Sequence, residues 1–270
     1  MPSEMAKFAA ISCVHVGPAS SDREQALEWL LGLLEDHQKE NGRLTHFVLL
    51  GDLFDAQAAS IHQRDDQASW TLDDEYEQGA QYLRTLREQL DKGCKLVWTL
   101  GNHDDNLLQA DSRRIPWDLR KAIGWNSYPT FGEEFRRWQQ VPYQKPSIHS
   151  RKGCYEVGQV IFCHGFDVGA SSDELEGLQI NYALGGHSWR LCLRGHTHRP
   201  RDVTQAKRTA RVLLPFHYAN VGTMGPLMPP YMARKDTSQW GAGLALGEAK
   251  LGRIGRMNGK CWDAQVVIRD

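Results

Sequence analysis

The chain contains no run of about 18 consecutive apolar residues, which excludes a long apolar membrane-spanning helix. It has no excess of charge of one sign: 32 Lys and Arg stand against 33 Asp and Glu, a formal net charge of −1. A chain so balanced exerts no overall pull on nucleic acid or on an anionic membrane. It lacks a cysteine framework. Cys13, Cys94, Cys154, Cys163, Cys192 and Cys261 are scattered, and several lie in apolar strand-like runs. That usage fits a reduced, cytoplasmic protein rather than a disulfide scaffold. Met1 to Lys7 is polar and leads directly into an apolar segment, unlike a secretory signal. Internal repeats and a clear linker are also missing, so residues 1–270 read as a single domain.

What is present is an alternation of strand and helix signals. Hydrophobic residues at 41% and charged residues at 24% are ordinary for a globular chain. Phe8 to Val14, Phe47 to Leu50 and Lys95 to Leu100 are short apolar runs that predict buried strands. Between the first two, Ser21 and Glu24 suggest a capping box, and Leu27, Leu30, Leu31 and Leu34 give a helical stripe. Residues 56–74 read as polar and irregular. Tyr76, Ala80, Leu83, Leu86 and Leu90 then repeat at helical spacing before Gly93. This βαβαβ order predicts a parallel or mixed sheet flanked by helices. Residues 106–123 read as helical, interrupted at Pro116. Farther on, Tyr155 to Cys163 carries two strand-like pieces around Gly158. Leu191 to Arg194, Val203, Arg211 to Leu214, Tyr218 to Val221, Gly243 to Leu246 and Val266 to Ile268 add short strands. Together they predict a second, more antiparallel sheet.

Five segments carry chemistry: Cys13-Val14-His15, Gly51-Asp52-Leu53-Phe54-Asp55, Gly101-Asn102-His103-Asp104, Cys163-His164-Gly165 and Gly195-His196-Thr197-His198. Each follows an apolar strand-like run. In open α/β sheets, ligand sites gather at the carboxyl ends of strands, so ends far apart in sequence can converge. Imidazoles, a carboxylate and an amide oxygen suit divalent ions such as Mn, Fe, Zn or Co. A carboxylate such as Asp52 can bridge two ions about 3.5–4 Å apart.

The ordered set resembles the calcineurin-like metallophosphoesterase superfamily, whose pattern is D-x-H, GD-x-x-D, GNH-D/E, a lone His before Gly, and GH-x-H. The resemblance spans residues 11 to 198. Asn220-Val221-Gly222-Thr223 is similar to the N-P-G-S turn that often follows. The resemblance implies an α/β fold, a four-layer αββα sandwich of two mixed β-sheets flanked by helices. It implies two divalent metal ions as cofactors, Mn, Fe, Zn or Ni. The first site would use His15, Asp52 and His198 with whatever Cys13 offers. The second would use Asp52, Asn102, His164 and His196, with Asp52 bridging. His103 matches the family's catalytic histidine, which contacts the phosphate and protonates the leaving oxygen. Asp55 matches the acidic partner of that imidazole, and Asp104 supports the loop. A metal-bridging hydroxide would attack phosphorus in line, with positioning and charge neutralisation carrying the catalysis.

Cys13 departs from the pattern, which has Asp at that position. Three readings stay open. Cys13 binds the first metal as a thiolate, favouring Zn or Fe over Mn. Or it does not bind, leaving a weaker first site. Or it is a small buried residue in a catalytically weak binding scaffold. Cys163 should point opposite to His164 and into the core. His37, His46, His62, His149 and His187 read as packed or solvated, and His217 stays open between packing and substrate contact. Arg113 and Arg114 read as a solvated helix face rather than a phosphate clamp. Trp70, Trp117, Trp125 and Trp138 read as packing residues, and Asp73-Asp74-Glu75 as helix N-terminal charges.

Ala56-Gln57 stands where the protein Ser/Thr phosphatases of the superfamily have Arg-Gly, which argues against that branch. The Gly51 to Phe54 and Gly101 to Asp104 segments are also similar to the DNA-end nuclease branch. Those enzymes carry a DNA-binding cap beyond GH-x-H, and the segment after His198 is short for one. The UDP-diacylglucosamine hydrolases share GD-L-F and GHTHRP but typically have Arg where His103 stands. The expected substrates are phosphodiesters or small phosphomonoesters, nucleotides among them. A nuclease acting on DNA or RNA ends is the alternative. Residues 56–74 and 222–232 are the expected pocket loops.

Overall fold

The computed structural model describes residues 4–17, 20–56, 71–108, 133–169, 172–206, 215–229, 236–252 and 259–269. The first sheet has six strands: β1 (Met5–Ile11), β2 (His46–Leu49), β3 (Lys95–Thr99), β4 (Gln139–Val141), β10 (Gly243–Lys250) and β11 (Trp262–Ile268). Their order is β11-β10-β1-β2-β3-β4. β1 to β4 are parallel, and β10 and β11 extend the edge antiparallel. The second sheet contains β5 (Tyr155–Val157), β6 (Val160–Phe162), β7 (Leu191–Arg194), β8 (Arg201–Gln205) and β9 (His217–Asn220), in the order β5-β6-β7-β9-β8. Its centre, β6, β7 and β9, is parallel; only β5 and β8 run against it.

Among the described residues the helices are α1 (Ser21–Asn41), α2 (Leu72–Glu88), α3 (Asn102–Leu108), α4 (Glu133–Arg136) and α5 (Ser172–Ala183). The α1 cap is Ser20, whose side chain accepts from Arg23 N, one residue before the expected Ser21. Thr71 and Asp74 form a reciprocal capping box for α2, with Asp73, Asp74 and Glu75 in its first turn.

Side-chain alternation along the strands builds three separate cores. Ala9 and Ile11 of β1 pack with Leu30 and Leu34 of α1 and Leu83 and Leu86 of α2. Phe8 and Ala10, on the opposite face, meet Phe162, Leu191 and Leu193 between the sheets. Ile161, Cys163 and Cys192 face the other way again, onto Ile180 and Leu184 beneath α5. Helices, sheet, sheet and helix therefore stack as the expected four-layer sandwich. Cys163 does lie in the core opposite its neighbour His164.

Two expectations are corrected. Gly243 to Leu246 and Val266 to Ile268 belong to the first sheet, where β10 pairs with β1 and β11 with β10. The second sheet is mixed with a parallel centre, not mainly antiparallel, because the long connection through α5 allows β6 and β7 to run the same way. The expected strand Arg211 to Leu214 lies outside the described residues, as does most of 106–123.

Phe162 is fully buried, and its ring meets that of Phe8 edge-on at 5.2 Å between centroids. Phe162→Ala should cost about 3–5 kcal/mol of unfolding free energy in urea denaturation. A loss below about 1 kcal/mol would mean that the two sheets do not depend on this contact.

Candidate metal centre

The site forms where β1, β2, β3, β6 and β7 end. Five of the candidate donors take a left-handed backbone: Cys13 (φ 54°), His15 (46°), Asp52 (51°), His196 (68°) and His198 (60°). Such conformations cost on the order of 1–3 kcal/mol each for non-glycine residues and persist only where surroundings enforce them. The loops after β1 and β2 enforce each other: Cys13 N donates to Gly51 O (3.0 Å), His15 N to Asp52 O (3.0 Å) and Val16 N to Leu53 O (2.8 Å). From α1, the buried Arg23 donates to His15 O (3.2 Å) and Gly17 O (3.1 Å). Thr223 Oγ1 donates to Cys13 O (2.7 Å), so the Asn220 turn braces the same loop from the other sheet. Asn220 Nδ2 also donates to Gly195 O (3.0 Å) and Thr197 Oγ1 (2.8 Å), inside the GH-x-H turn.

One donor group is Cys13, His15 and His198, all buried, with ligand atoms within 4.8 Å of one another. His15 Nε2 lies 3.1 Å from His198 Nε2. His15 Nδ1 faces Asp55 Oδ1 at 3.3 Å, a carboxylate placed to favour a proton on this nitrogen, which would leave Nε2 as the ring's free lone pair. Among the described residues, buried His198 Nδ1 has no hydrogen-bond partner, and the Trp240 ring packs edge-on against its imidazole at 4.2 Å between centroids.

A second group is Cys13, Asp52 and His164. His164 Nδ1 lies 2.7 Å from Leu50 O and must donate to it. Its Nε2 faces Asp52 Oδ2 (3.1 Å), Asn102 Oδ1 (3.1 Å) and His196 Nδ1 (3.0 Å). One proton on Nε2 can satisfy only one of these acceptors, whereas a divalent cation can be shared by all of them. Asp52 Oδ2 is also 3.8 Å from His15 Nε2, so this oxygen lies between the two groups. The other oxygen, Oδ1, is fixed by His103 N at 2.9 Å. The residues present thus fit divalent metal, on the chemistry of the donor set.

The charges agree. Burial opposes ionisation of Asp52, but His164, His103 and His15 outweigh it and hold the carboxyl well below its ordinary pKa. For Cys13, burial again opposes the charged form, and His198, His15 and His164 outweigh it, holding the thiol well below its usual value. Burial pushes His196 down to about 3, with the help of His164, and lowers His198 too. Burial opposes the charged form of His164, but Asp52 and Cys13 outweigh it and hold its pKa well above the ordinary value, so the anions Asp52 and Cys13 face one favoured cation, while burial favours neutral His196 and His198.

His103 sits differently. Its ring is 22% exposed, against 5% for His15 and 0% for His164. Its Nδ1 lies 2.6 Å from the backbone oxygen of Asp55 and 3.8 Å from Oδ1 of the same residue. Asp55 thus touches both His103 and His15, and its carboxylate is nearer to His15. Asp104 faces away from the donors: it accepts from Phe54 N (3.1 Å), Trp98 Nε1 (3.1 Å) and Gly101 N (2.9 Å). Burial and the charge of Asp52 push its pKa up to about 7.

The structure brings together all seven candidate ligands with His103 and Asp55. His217 lies elsewhere, its ring against Trp262 at 5.1 Å between centroids. Trp138 is buried in the helix-side core. His62, Trp70, Trp117, Trp125, Arg113 and Arg114 lie outside the described residues, as do residues 57–70 and 230–235 of the expected pocket loops. The sequence reading missed Arg23 and Trp240. Arg23 had a signal: with Ala26, Leu30 and Leu34 it occupies the buried stripe of α1, an unusual place for a charge. Trp240 had none.

Gly101 allows the close approach of β3 to Asp52. A Cβ there would overlap Asp52 Oδ1 and lie 2.7 Å from its Cγ, whereas a Cβ on Gly32 of α1 would meet nothing within 4 Å. Gly101→Ala should weaken divalent-metal binding at least about tenfold by calorimetric titration with Zn, and Gly32→Ala should not. Equal affinities in the two variants would mean that metal binding does not depend on the close approach of Gly101 to Asp52.

A model of the calcineurin-like phosphoesterase family matches residues 6–200. Among curated proteins no relative matches. One solved structure, a variant of a cold-active protein tyrosine phosphatase, aligns with a TM-score of 0.40 at 14% identity, covering 93% of this chain and 80% of that one. With the family model extending over every one of the five motifs, the chain belongs to the calcineurin-like phosphoesterases.

Proposed function

We propose that this chain hydrolyses phosphodiesters and small phosphomonoesters, nucleotides among them, at a centre for two divalent ions. The observation that carries this reading is the convergence of Asp52, Asn102, His164 and His196 with Cys13, His15 and His198, five of these residues held in strained backbone. His15, His198 and Cys13 would hold one ion and Asn102, His164 and His196 the other, with Asp52 between them. When bound, such ions polarise phosphoryl oxygens and lower the pKa of water toward neutrality.

The chain's own residues supply the rest. His103 Nδ1 donates to the Asp55 carbonyl, which leaves Nε2 as the ring's working atom. The carboxylate of Asp55 stands 3.8 Å from the same Nδ1, and a proton on Nε2 can pass to the leaving oxygen. Its partial exposure lets His103 meet a substrate that the buried donors could not reach. Asp104 sets this geometry indirectly, by fastening Gly101 and Phe54 on either side of the Asp52 and His103 contact.

The test is hydrolysis of bis-p-nitrophenyl phosphate, p-nitrophenyl phosphate and single-stranded DNA with Mn, Zn, Ni or Fe. His103→Ala should lower kcat by about 10²–10⁴-fold while metal stoichiometry stays unchanged. Asp55→Asn should lower both kcat and the affinity of the first ion, because Asp55 orients His15 as well as His103. Absence of turnover with every metal in a folded protein would overturn the enzyme reading in favour of a binding scaffold. Cleavage of DNA alone would assign the nuclease branch.

A further inference from the structure

Cys13 has one donor atom, and that atom belongs to two donor groups. Its Sγ lies within 4.8 Å of ligand atoms of His15 and His198 on one side, and of Asp52 and His164 on the other. A carboxylate at this position could present one oxygen to each side; a thiol can serve both only through the same sulfur. We infer that the Cys13 thiolate is a shared ligand, bridging the two ions opposite Asp52, and that it selects thiophilic metals such as Zn, Fe or Co over Mn. This rests on the metal centre proposed above.

The surroundings of the sulfur are those of an acceptor rather than of a packed apolar group. His196 N donates to it at 3.2 Å, and the polar Ser12 Oγ, which donates to Leu50 O, lies 2.9 Å away. The contrast with the other buried thiols is direct: Cys94 lies in the helix-side core, and Cys163 and Cys192 lie 3.8 Å apart in the apolar layer beneath α5. None of these faces an imidazole cluster in a left-handed turn. Cys13 does both, with φ 54° fixed by Gly51 O at its N–H and Thr223 Oγ1 at its carbonyl. Within the first group, His15 and His198 are imidazoles 3.1 Å apart, so Cys13 is the member that can bring negative charge. Soft thiolate favours Zn, Fe or Co, whereas hard carboxylate suits Mn.

The experiment loads the full chain with zinc and reads X-ray absorption, then repeats it for Cys13→Asp and Cys13→Ser, with circular dichroism to check folding. The wild type should show a sulfur shell at about 2.3 Å amounting to one sulfur per zinc, and both variants should lose it. Cobalt loading should give the matching sulfur-to-cobalt charge-transfer absorption in the wild type only. In competition, Cys13→Asp should shift the Zn-to-Mn affinity ratio at least about tenfold toward Mn. With two zincs bound, an average sulfur coordination of about one half per zinc, the value for a terminal thiolate, would overturn the bridge. Two zincs bound with no sulfur shell would overturn the inference while leaving the proposed phosphoesterase intact. Failure of the wild type to bind zinc, cobalt or Mn would overturn both.

Discussion

Carboxylate, thiol, amide and imidazole groups are crowded together at the ends of five strands, and the rest of the fold exists in relation to that constraint. His164 Nε2 meets a carboxylate, an amide oxygen and a second imidazole within 3.1 Å. Such a cluster repels itself unless a cation is shared. The backbone that presents it is also strained, so nothing local would assemble it. The assembly comes from outside: two sheets packed through one apolar layer bring β1, β2 and β3 to face β6 and β7, and loop hydrogen bonds lock the donors.

The bracing is distributed over every layer. Arg23 reaches the His15 loop from α1. Thr223 and Asn220 reach the Cys13 loop and the GH-x-H turn from the end of β9. Beneath that turn, Arg194 is buried between Asp173 and Glu176 of α5. Asp173 also accepts from Asn220 Nδ2 at 2.9 Å, which ties the outermost helix to the centre. A buried ion pair adds little net stability by itself. Its value here is positional, since it fixes the strand end that carries His196 and His198.

Much of this was legible in the sequence. Apolar runs located β1, β2, β3, β6 and β7 within a few residues, and the polar residues at their ends marked the site. What local pattern could not carry was partnership. β10 and β11 have ordinary strand composition, and nothing in it says that they pair with β1 rather than with the second sheet. Nor does pattern announce that the strand signal through Val14 stops at Ile11, because Cys13 and His15 turn left-handed under tertiary contacts. Asn102, His103 and Asp104 are poor helix formers, yet they begin α3, held there by the Asp104 carboxylate on Gly101 N. Arg23 is readable from its place in the buried stripe of α1. Trp240 reaches His198 through a turn whose course no periodicity encodes.

The five left-handed donors have a consequence for how the protein stands up to heat. The unfolded chain has no such cluster, so an ion that settles in it stabilises the folded state alone. Saturation at a hundred times the dissociation constant is worth about 2.7 kcal/mol for each site. Part of that gain offsets the strain held in the turns at Cys13, His15, Asp52, His196 and His198. If the centre binds metal as proposed, thermal resistance would depend on the solution's metal content as well as on the apolar cores, and a chelator would act on the chain as a denaturant does.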